Sequence, residues 1–295
     1  MANILTIDII QNRCIYCDSV NLQYEGAFLS PYFGFKTLGI TPRVISKGEF
    51  TDLSPGTSYV PCFSVFCDRC EGMFLNIRFT PKALQEFYQD YLEPSYHSAR
   101  ASIENSYHIR MAGLDKTGKL KTRYQGGALP HMKQIEEMIY SRVGKPVSEI
   151  RILDFGGGGG ENSPFFGRAL TTIVDPKLPN PEFLNHYDVI YSNSTLEHVS
   201  FPRIYLGRLA ELASPSTLIY IEVPLENFMT KVATNTATWR TKRVWTEHVN
   251  FFSRKAFLKC LVDANLSIEE HFKLDMPTLF DYETLVHIAA VCRVN

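Results

Sequence analysis

An aspartate two residues before a glycine-rich loop is the pattern in this chain with the most chemical content. Residues 152–155 are apolar except for Asp154 and are followed by five consecutive glycines, residues 156–160. Because glycine has no side chain, a strand-to-helix turn of this composition lets a ligand approach the backbone closely. A carboxylate beside the loop repels a pyrophosphate and attracts a cation. The pattern predicts a site for a positively charged ligand, and the simpler alternative is a glycine-rich turn.

A second carboxylate follows the next apolar run of the sequence. Residues 171–174 are all β-branched and lead directly into Asp175, fifteen residues after Gly160. In nucleotide-binding folds, an acid at the end of the second strand accepts hydrogen bonds from ribose hydroxyls. The position of Asp175 therefore predicts a ligand that carries a ribose. Alternatively, Asp175 is only a turn residue before Pro176.

Four of the seven cysteines form two pairs with the spacing of metal ligands. Two residues separate the cysteines of each pair, and 49 residues separate the pairs. The four residues are Cys14, Cys17, Cys67 and Cys70. Four thiolates form the tetrahedral set that structural zinc prefers, and such a closed site leaves no position for a reacting water. The spacing predicts structural zinc, with a disulfide pair or four unrelated buried cysteines as alternatives.

The elements that must position these residues alternate between strand and helix from about residue 149 onward. Strands are predicted over residues 152–155, 171–175, 187–193, 218–224 and 285–291, with a helix starting at Ser163 and Pro164. Such an alternation implies a parallel sheet whose ligand sites lie at the carboxyl ends of its strands. Only thirteen residues separate Asp175 from Val189, so a third strand between them should be short or missing.

The amino-terminal half predicts an irregular β module followed by helices. One helix starts at Thr80 and Pro81 and stops before Pro94, another stops at Gly144, and a later one is capped by Ser253. Between the first two, residues 95–127 show no regular period and concentrate basic side chains. These are Arg100, Arg110, Lys116, Lys119, Lys121 and Arg123. The segment is either a solvated linker or a basic lid that pairs with a phosphorylated substrate.

The composition narrows the classes of function and the number of domains. The 295 residues include 30 basic and 31 acidic side chains, so no overall field draws the chain to nucleic acid or anionic lipid. No apolar run is long enough to cross a bilayer, and the first residues show no basic leader. We therefore expect a cytoplasmic protein with a small-molecule substrate, no nucleic-acid partner and no membrane span. The predicted domains are residues 1–80, a lid over 81–145, and 146–295.

Several segments of the chain occur in an order that resembles one enzyme family. The loop reads Asp-x-Gly-x-Gly-x-Gly at Asp154, Gly156, Gly158 and Gly160, and this resembles motif I of class I S-adenosylmethionine (SAM) methyltransferases. The cysteine pairs, F-Y-Q-D-Y and Y-H-S within residues 87–98, this loop and E-H-V-N-F-F-S at 247–253 follow in that order. Together they resemble zinc-containing methyltransferases that act on nucleotide-linked deoxysugars and related glycan precursors. The sugar C-methyltransferases are the best known of these.

The resemblance implies roles for individual residues. His248 would be the general base with Glu247 beside it, and His198, which ends D-V-I-Y-S-N-S-T-L-E-H at 188–198, would be a second active-site histidine. Asn193 of the same segment would contact the cofactor, and Tyr96 would cover it. The alternatives are backbone hydrogen bonds for Glu247 and His248, packing under the sheet edge for His198, and a buried helix-terminal position for Tyr96.

The sequence therefore predicts an α/β protein with a class I methyltransferase fold. Its parts would be a doubly wound, Rossmann-like sheet, a small amino-terminal zinc-binding β module and a helical lid. The predicted reaction is SAM-dependent methylation, on oxygen or carbon, of a nucleotide-linked sugar or surface-glycan precursor. We do not expect the further carboxyl-terminal domain of the sugar C-methyltransferases. The alternatives are an RNA methyltransferase with a zinc knuckle and a non-catalytic partner that keeps the fold for assembly.

Overall fold

The computed structural model describes residues 7–8, 12–39, 59–91, 93–104, 130–176, 178–179, 181–225, 238–240, 242–277 and 284–294. The helices are α1 (Pro31–Leu38), α2 (Pro81–Tyr88), α3 (Pro94–Ile103), α4 (Pro130–Val143), α5 (Pro202–Leu212) and α6 (Arg254–Asp263). The strands are β1 (Ile7–Asp8), β2 (Leu22–Leu29), β3 (Val60–Cys67), β4 (Met73–Leu75), β5 (Arg78–Phe79), β6 (Arg151–Phe155), β7 (Leu170–Val174), β8 (Val189–Asn193), β9 (Leu218–Leu225), β10 (Val244–Trp245), β11 (Asn250–Phe251), β12 (Leu266–Pro277) and β13 (Thr284–Val294).

A six-stranded sheet in the order β12-β13-β9-β8-β6-β7 forms the centre of the carboxyl-terminal half. Strands β6 to β9 pair in parallel, as predicted, whereas β13 runs antiparallel to β9 and β12 antiparallel to β13. The described residues between β7 and β8 contain no strand, where the sequence predicted a third strand that is short or missing. The carboxyl ends of β6, β7 and β8 therefore meet at one edge of the sheet.

Both faces of this sheet are covered, which makes the fold doubly wound as predicted. Because successive side chains of a strand point to opposite faces, neighbouring residues enter different cores. The core on the α4 face includes Ile152, Val189, Leu218, Met132, Ile135 and Ile139. The core on the α5 and α6 face includes Leu153, Ile190, Ile219, Leu206, Phe257 and Leu261. A strand buried on both faces carries adjacent apolar residues, as in residues 152–153 of β6, 189–191 of β8 and 218–221 of β9.

A second, five-stranded sheet joins the amino-terminal residues to a short segment near residue 247. Its order is β10-β2-β3-β4-β11, so β10 and β11 lie at opposite edges although only residues 246–249 separate them. The rings of Trp245 and Phe251, one on each edge strand, have centroids 4.5 Å apart. The sheet therefore curls until its edges face each other, and residues 246–249 bridge them. The domain boundaries stay a prediction. Strands β10 and β11, from the predicted third domain, pair with strands of the predicted first domain.

The helix signals of the sequence have different outcomes. Thr80 and Ser253 accept hydrogen bonds from Ala83 N–H and Ala256 N–H, as capping residues do, and Gly144 ends α4 with a φ of 67°. The prediction of a helix starting at Ser163 is wrong: residues 160–169 form turns, with a left-handed backbone at Phe165.

The region after residue 93 also differs from its prediction. Pro94 begins α3 at the first helical position, so residues 94–103 are helical where no regular structure was expected. The predicted basic side chains at positions 110, 116, 119, 121 and 123 lie outside the described residues.

None of the helices described here combines the length and the apolar character that a membrane span requires.

Candidate active site

The glycine loop follows β6 and closely approaches its surroundings. Gly156, Gly158 and Gly160 have φ values of 90°, 63° and 87°, a region in which side chains are strained. A Cβ on Gly156 would collide with Thr195, and one on Gly157 would collide with the Asp154 carboxylate. Glycine is therefore required by both conformation and space, and the loop leaves its backbone open to a ligand.

Asp154 lies under this loop and is almost fully buried. Its carboxylate accepts a hydrogen bond from the Ser163 hydroxyl. The pKa of Asp154 is raised to about 7, chiefly by burial; the Ser163 hydrogen bond lowers this pKa and the charge of Asp175 raises it. An acid with its pKa raised by burial is stabilised as an anion by a nearby cation. The site therefore favours a positively charged ligand, in line with the sequence.

The raised pKa of Asp154 predicts how stability depends on pH. The pKa of this carboxyl is near 3.8 in the unfolded chain and near 7 in the folded protein. The protonated carboxyl therefore adds to the free energy of unfolding below about pH 4, and this contribution is lost as pH rises to about 7. Asp154→Asn removes this titration. We expect the melting temperature of the variant, relative to wild type without ligand, to rise by several degrees between pH 5 and pH 8. Calorimetry at both pH values measures this, and an equal difference at the two values would contradict the burial argument.

Asp175 follows β7 and is linked to the same loop. Its Oδ2 accepts a hydrogen bond from the Gly158 N–H at 2.9 Å. This contact fixes the middle of the glycine loop to the end of the neighbouring strand. The loop, Asp154 and Asp175 consequently form one side of a single site.

A cavity of about 450 Å³ lies over this loop, a volume typical of small-molecule sites. The glycine loop, both aspartates and Asn193 line one side, and Leu84, Tyr88 and Tyr91 line another. The predicted site residues among its lining are Asp154, Gly156, Gly158, Asp175, Asn193, His198, Glu247 and His248. Gly160 and Tyr96 are not among the lining residues. Instead, a Cβ on Gly160 would press on Ile173, so this glycine shapes the turn.

Tyr96 has a different environment from the one predicted. Its side chain is 2% exposed and packs edge-on against Tyr32, Phe87 and Tyr91. Tyr91 and Tyr88 contact the cavity in its place. Both belong to the F-Y-Q-D-Y segment that the sequence singled out. Tyr96 instead takes the buried position that was its alternative.

Two histidines of the cavity lining are in edge-on contact with each other. The rings of His198 and His248 have centroids 4.7 Å apart. Nδ1 of His198 lies 3.1 Å from the Glu247 carbonyl oxygen and 2.6 Å from the Tyr88 hydroxyl. Because a carbonyl only accepts, the tautomer with hydrogen on Nδ1 makes that contact favourable, and it leaves the lone pair on Nε2. His198 thus lines the cavity and does not pack under the sheet edge.

The segment around Glu247 is held by a buried ion pair. Arg100 Nη2 lies 3.1 Å from Glu247 Oε2, and Arg100 Nε donates to Glu104 Oε2 at 2.8 Å. The Arg100 side chain is only 2% exposed. Arg100 was predicted as part of a basic lid for a phosphorylated substrate, but its guanidinium is engaged by two carboxylates. It instead ties α3 to the segment that carries His248.

The four predicted zinc ligands lie together at one end of the five-stranded sheet. All four cysteines are buried, and their sulfur atoms lie within 4.8 Å of one another. The Sγ atoms of Cys14 and Cys70 are 3.5 Å apart, and those of Cys17 and Cys67 are 3.6 Å apart. A tetrahedral zinc with bonds near 2.3 Å holds its sulfurs about 3.8 Å apart, whereas a disulfide needs about 2.05 Å. The four thiols therefore fit zinc and are not joined as disulfides.

The cysteine cluster predicts a measurable metal content. Purified protein should contain about one zinc ion per chain, and Cys67→Ser should lose it and melt at a lower temperature, because structural zinc adds its binding energy to folding. Elemental analysis and thermal unfolding measure both effects. Cys292→Ser, a buried cysteine of β13 outside the cluster, is the matched control and should keep its zinc. Equal zinc content in the two variants would exclude the cluster as the site.

Comparison with known proteins finds a family that part of this chain matches. Residues 131–271 match the family described as "Methyltransferase domain". No curated protein sequence matches the chain. The described fold also resembles solved structures at low sequence identity.

Two of these solved structures are methyltransferases with bound S-adenosylhomocysteine (SAH). The 1,6-didemethyltoxoflavin-N1-methyltransferase of Burkholderia thailandensis is 14% identical, and the match covers 68% of this chain and 91% of that chain at a TM-score of 0.40. The magnesium protoporphyrin IX methyltransferase of Synechocystis PCC 6803 is 11% identical, with 72% and 98% covered at a TM-score of 0.39. Neither substrate is carried over to this chain.

The sheet, the glycine loop and the family match define the class of protein. Residues 131–271 form a methyltransferase domain with a Rossmann-like α/β fold. The match and the fold support a SAM-dependent methyltransferase.

Proposed function

We propose that this methyltransferase modifies a nucleotide-linked sugar or a surface-glycan precursor, on oxygen or carbon, with His248 as general base. The observation that carries the proposal is the placement of two sets of residues on one cavity. The acidic loop side, with Asp154 and Asp175, faces the same space as the imidazoles of His198 and His248. A methyl donor and a proton acceptor are thereby brought to one acceptor group.

The residues of the loop side fit the parts of SAM. Asp175 would accept hydrogen bonds from the ribose hydroxyls, and the glycine loop and Asp154 would face the cationic methionine part. Asn193, at the end of β8, would contact the cofactor from the neighbouring strand. The position of Gly156 to Gly159 in the cavity lining supports this fit, because the backbone there is exposed to the cavity. When bound, SAM supplies an electrophilic methyl group on its sulfonium.

The opposite side would bind the acceptor and remove its proton. A hydroxyl or an acidic carbon must lose a proton as it gains the methyl group, and an imidazole titrates in the range that this task needs. His248 would take that proton. Glu247, whose carboxylate is held by Arg100, would fix the loop that carries His248, and His198 would lie beside the acceptor.

The proposal also includes the zinc site and the three domains, residues 1–80, 81–145 and 146–295. We assign zinc to the four cysteines with a structural role, because four thiolates leave no open coordination position. The order of the cysteine pairs, the aromatic segment, the glycine loop and the E-H-V-N-F-F-S segment is what favours a sugar substrate over other acceptors. The lid and its phosphate-binding role stay a prediction for residues 105–129.

Methyl transfer from isotopically labelled SAM to a panel of nucleotide sugars tests the substrate class. We expect labelled product with at least one nucleotide sugar and no incorporation into a matched amount of RNA. Incorporation into RNA alone would favour the zinc-knuckle RNA methyltransferase. SAH binding without transfer to any acceptor in either set would contradict the proposed substrate class.

A further inference from the structure

Glu197, His198 and His248 form a second cluster of metal-ligand side chains, separate from the four cysteines. One ligand atom from each of the three residues lies within 4.8 Å of the others. Glu197 Oε1 is 3.8 Å from Nε2 of His198. We propose that this cluster, here called the His-Glu cluster, binds a divalent transition-metal ion in the cavity. The chemistry supports this, because two imidazoles and one carboxylate form a donor set that zinc, iron(II) and manganese(II) accept.

The second nitrogen of His198 supports the proposal independently. Metal-ligating histidines typically donate their other ring N–H to a carbonyl or carboxylate, which fixes the tautomer and the ring. Nδ1 of His198 lies 3.1 Å from the Glu247 carbonyl oxygen and 2.6 Å from the Tyr88 hydroxyl, which can accept a hydrogen bond as well as donate one. With hydrogen on Nδ1, the lone pair is on Nε2, the nitrogen that lies near the Glu197 carboxylate. The ring is therefore oriented for coordination before any ion binds.

The position of the cluster suits an ion with an open coordination site. Glu197 is 2% exposed, so its carboxylate lies where a cation offsets the cost of burying the negative charge. All three residues line the cavity. Three protein ligands leave at least one position for water or for an oxygen of the substrate. This distinguishes the His-Glu cluster from the closed set of four cysteines.

Metal binding has a consequence that rests on the proposed function. A ring nitrogen that coordinates a metal has no lone pair to accept a proton. An ion held by His248 at its catalytic nitrogen would therefore oppose general-base catalysis. We expect occupancy of the His-Glu cluster to slow methyl transfer.

Titration with Mn²⁺ of protein that contains one zinc ion per chain, with electron paramagnetic resonance of the free Mn²⁺, tests the site without any substrate. Mn²⁺ is the suitable probe because thiolate sites select softer ions. We expect one saturable Mn²⁺ site per chain, weakened at least about tenfold in Glu197→Gln and in His198→Gln. Asp175→Asn changes another acid of the same cavity and should bind Mn²⁺ as wild type does. SAH binding by both cluster variants verifies that they fold.

The outcomes separate this proposal from the proposed function. Absence of a saturable Mn²⁺ site, or unchanged affinity in Glu197→Gln, would overturn the His-Glu cluster as a metal site and leave His248 as the base. Saturable binding that slows methyl transfer in proportion to occupancy would support both. Saturable binding that accelerates methyl transfer would support the metal site and overturn general-base catalysis by His248.

Discussion

His248→Ala should lower kcat for methyl transfer at least about a hundredfold, since loss of a general base typically costs a factor of 10² to 10⁴. The affinity for SAH should stay within about twofold of wild type, because the proposed cofactor contacts lie on the loop side of the cavity. Steady-state kinetics with an accepted nucleotide sugar, in buffer without added divalent ions, and calorimetric titration with SAH measure the two quantities.

The control for this variant is a histidine outside the cavity. His271 lies on β12 and contacts Arg254, and His271→Ala should leave kcat and SAH affinity unchanged. A kcat for His248→Ala within threefold of wild type would rule out His248 as the base. A loss of SAH affinity equal to the loss of kcat would instead indicate that the bridge at residues 246–249 had collapsed.

Asp175→Ala should weaken SAH binding at least about fiftyfold. Hydrogen bonds to a charged group contribute about 1.5–3 kcal/mol each, and about 1.4 kcal/mol corresponds to a factor of ten in affinity. The variant also loses the contact at 2.9 Å that holds the Gly158 N–H, so the loop loses one of its attachments to β7. Calorimetric titration with SAH measures the loss.

Two further variants separate the causes of this loss. Asp175→Asn keeps an oxygen that can accept from Gly158 and removes the charge, so an intermediate affinity is expected. Glu182→Ala removes an exposed acid of the β7–β8 connection and should bind SAH normally. Wild-type affinity in Asp175→Ala would show that the carboxylate does not contact the ribose.

The features that the sequence predicted well are those that depend on near neighbours in the chain. The caps at Thr80 and Ser253 and the stop at Gly144 need only three or four adjacent residues. The glycine loop after Asp154 is equally local, because its conformation and its lack of side chains follow from composition. The double burial of β8 and β9 followed from their largely apolar sequences.

The failed predictions concern positions where local signals compete. Ser163 and Pro164 look like a helix start, yet Ser163 donates to the buried Asp154 carboxylate and Phe165 turns left-handed. Pro94 can end one helix or begin another, and it begins α3. Tyr88, Tyr91 and Tyr96 share an aromatic segment, and only packing decides which of them meets the cavity.

The sequence by itself determined the class of fold, the acidic glycine loop and the four-cysteine spacing, since each is written in residues close together or in a regular pattern. Only the tertiary structure decided how the predicted residues His198, Glu247 and His248 meet at one cavity. Curling of the five-stranded sheet brings the bridge at 246–249 to His198, and Arg100 reaches Glu247 across 147 positions of sequence. Such contacts depend on how whole elements pack, and a pattern of neighbouring residues cannot predict contacts between segments so far apart in the chain.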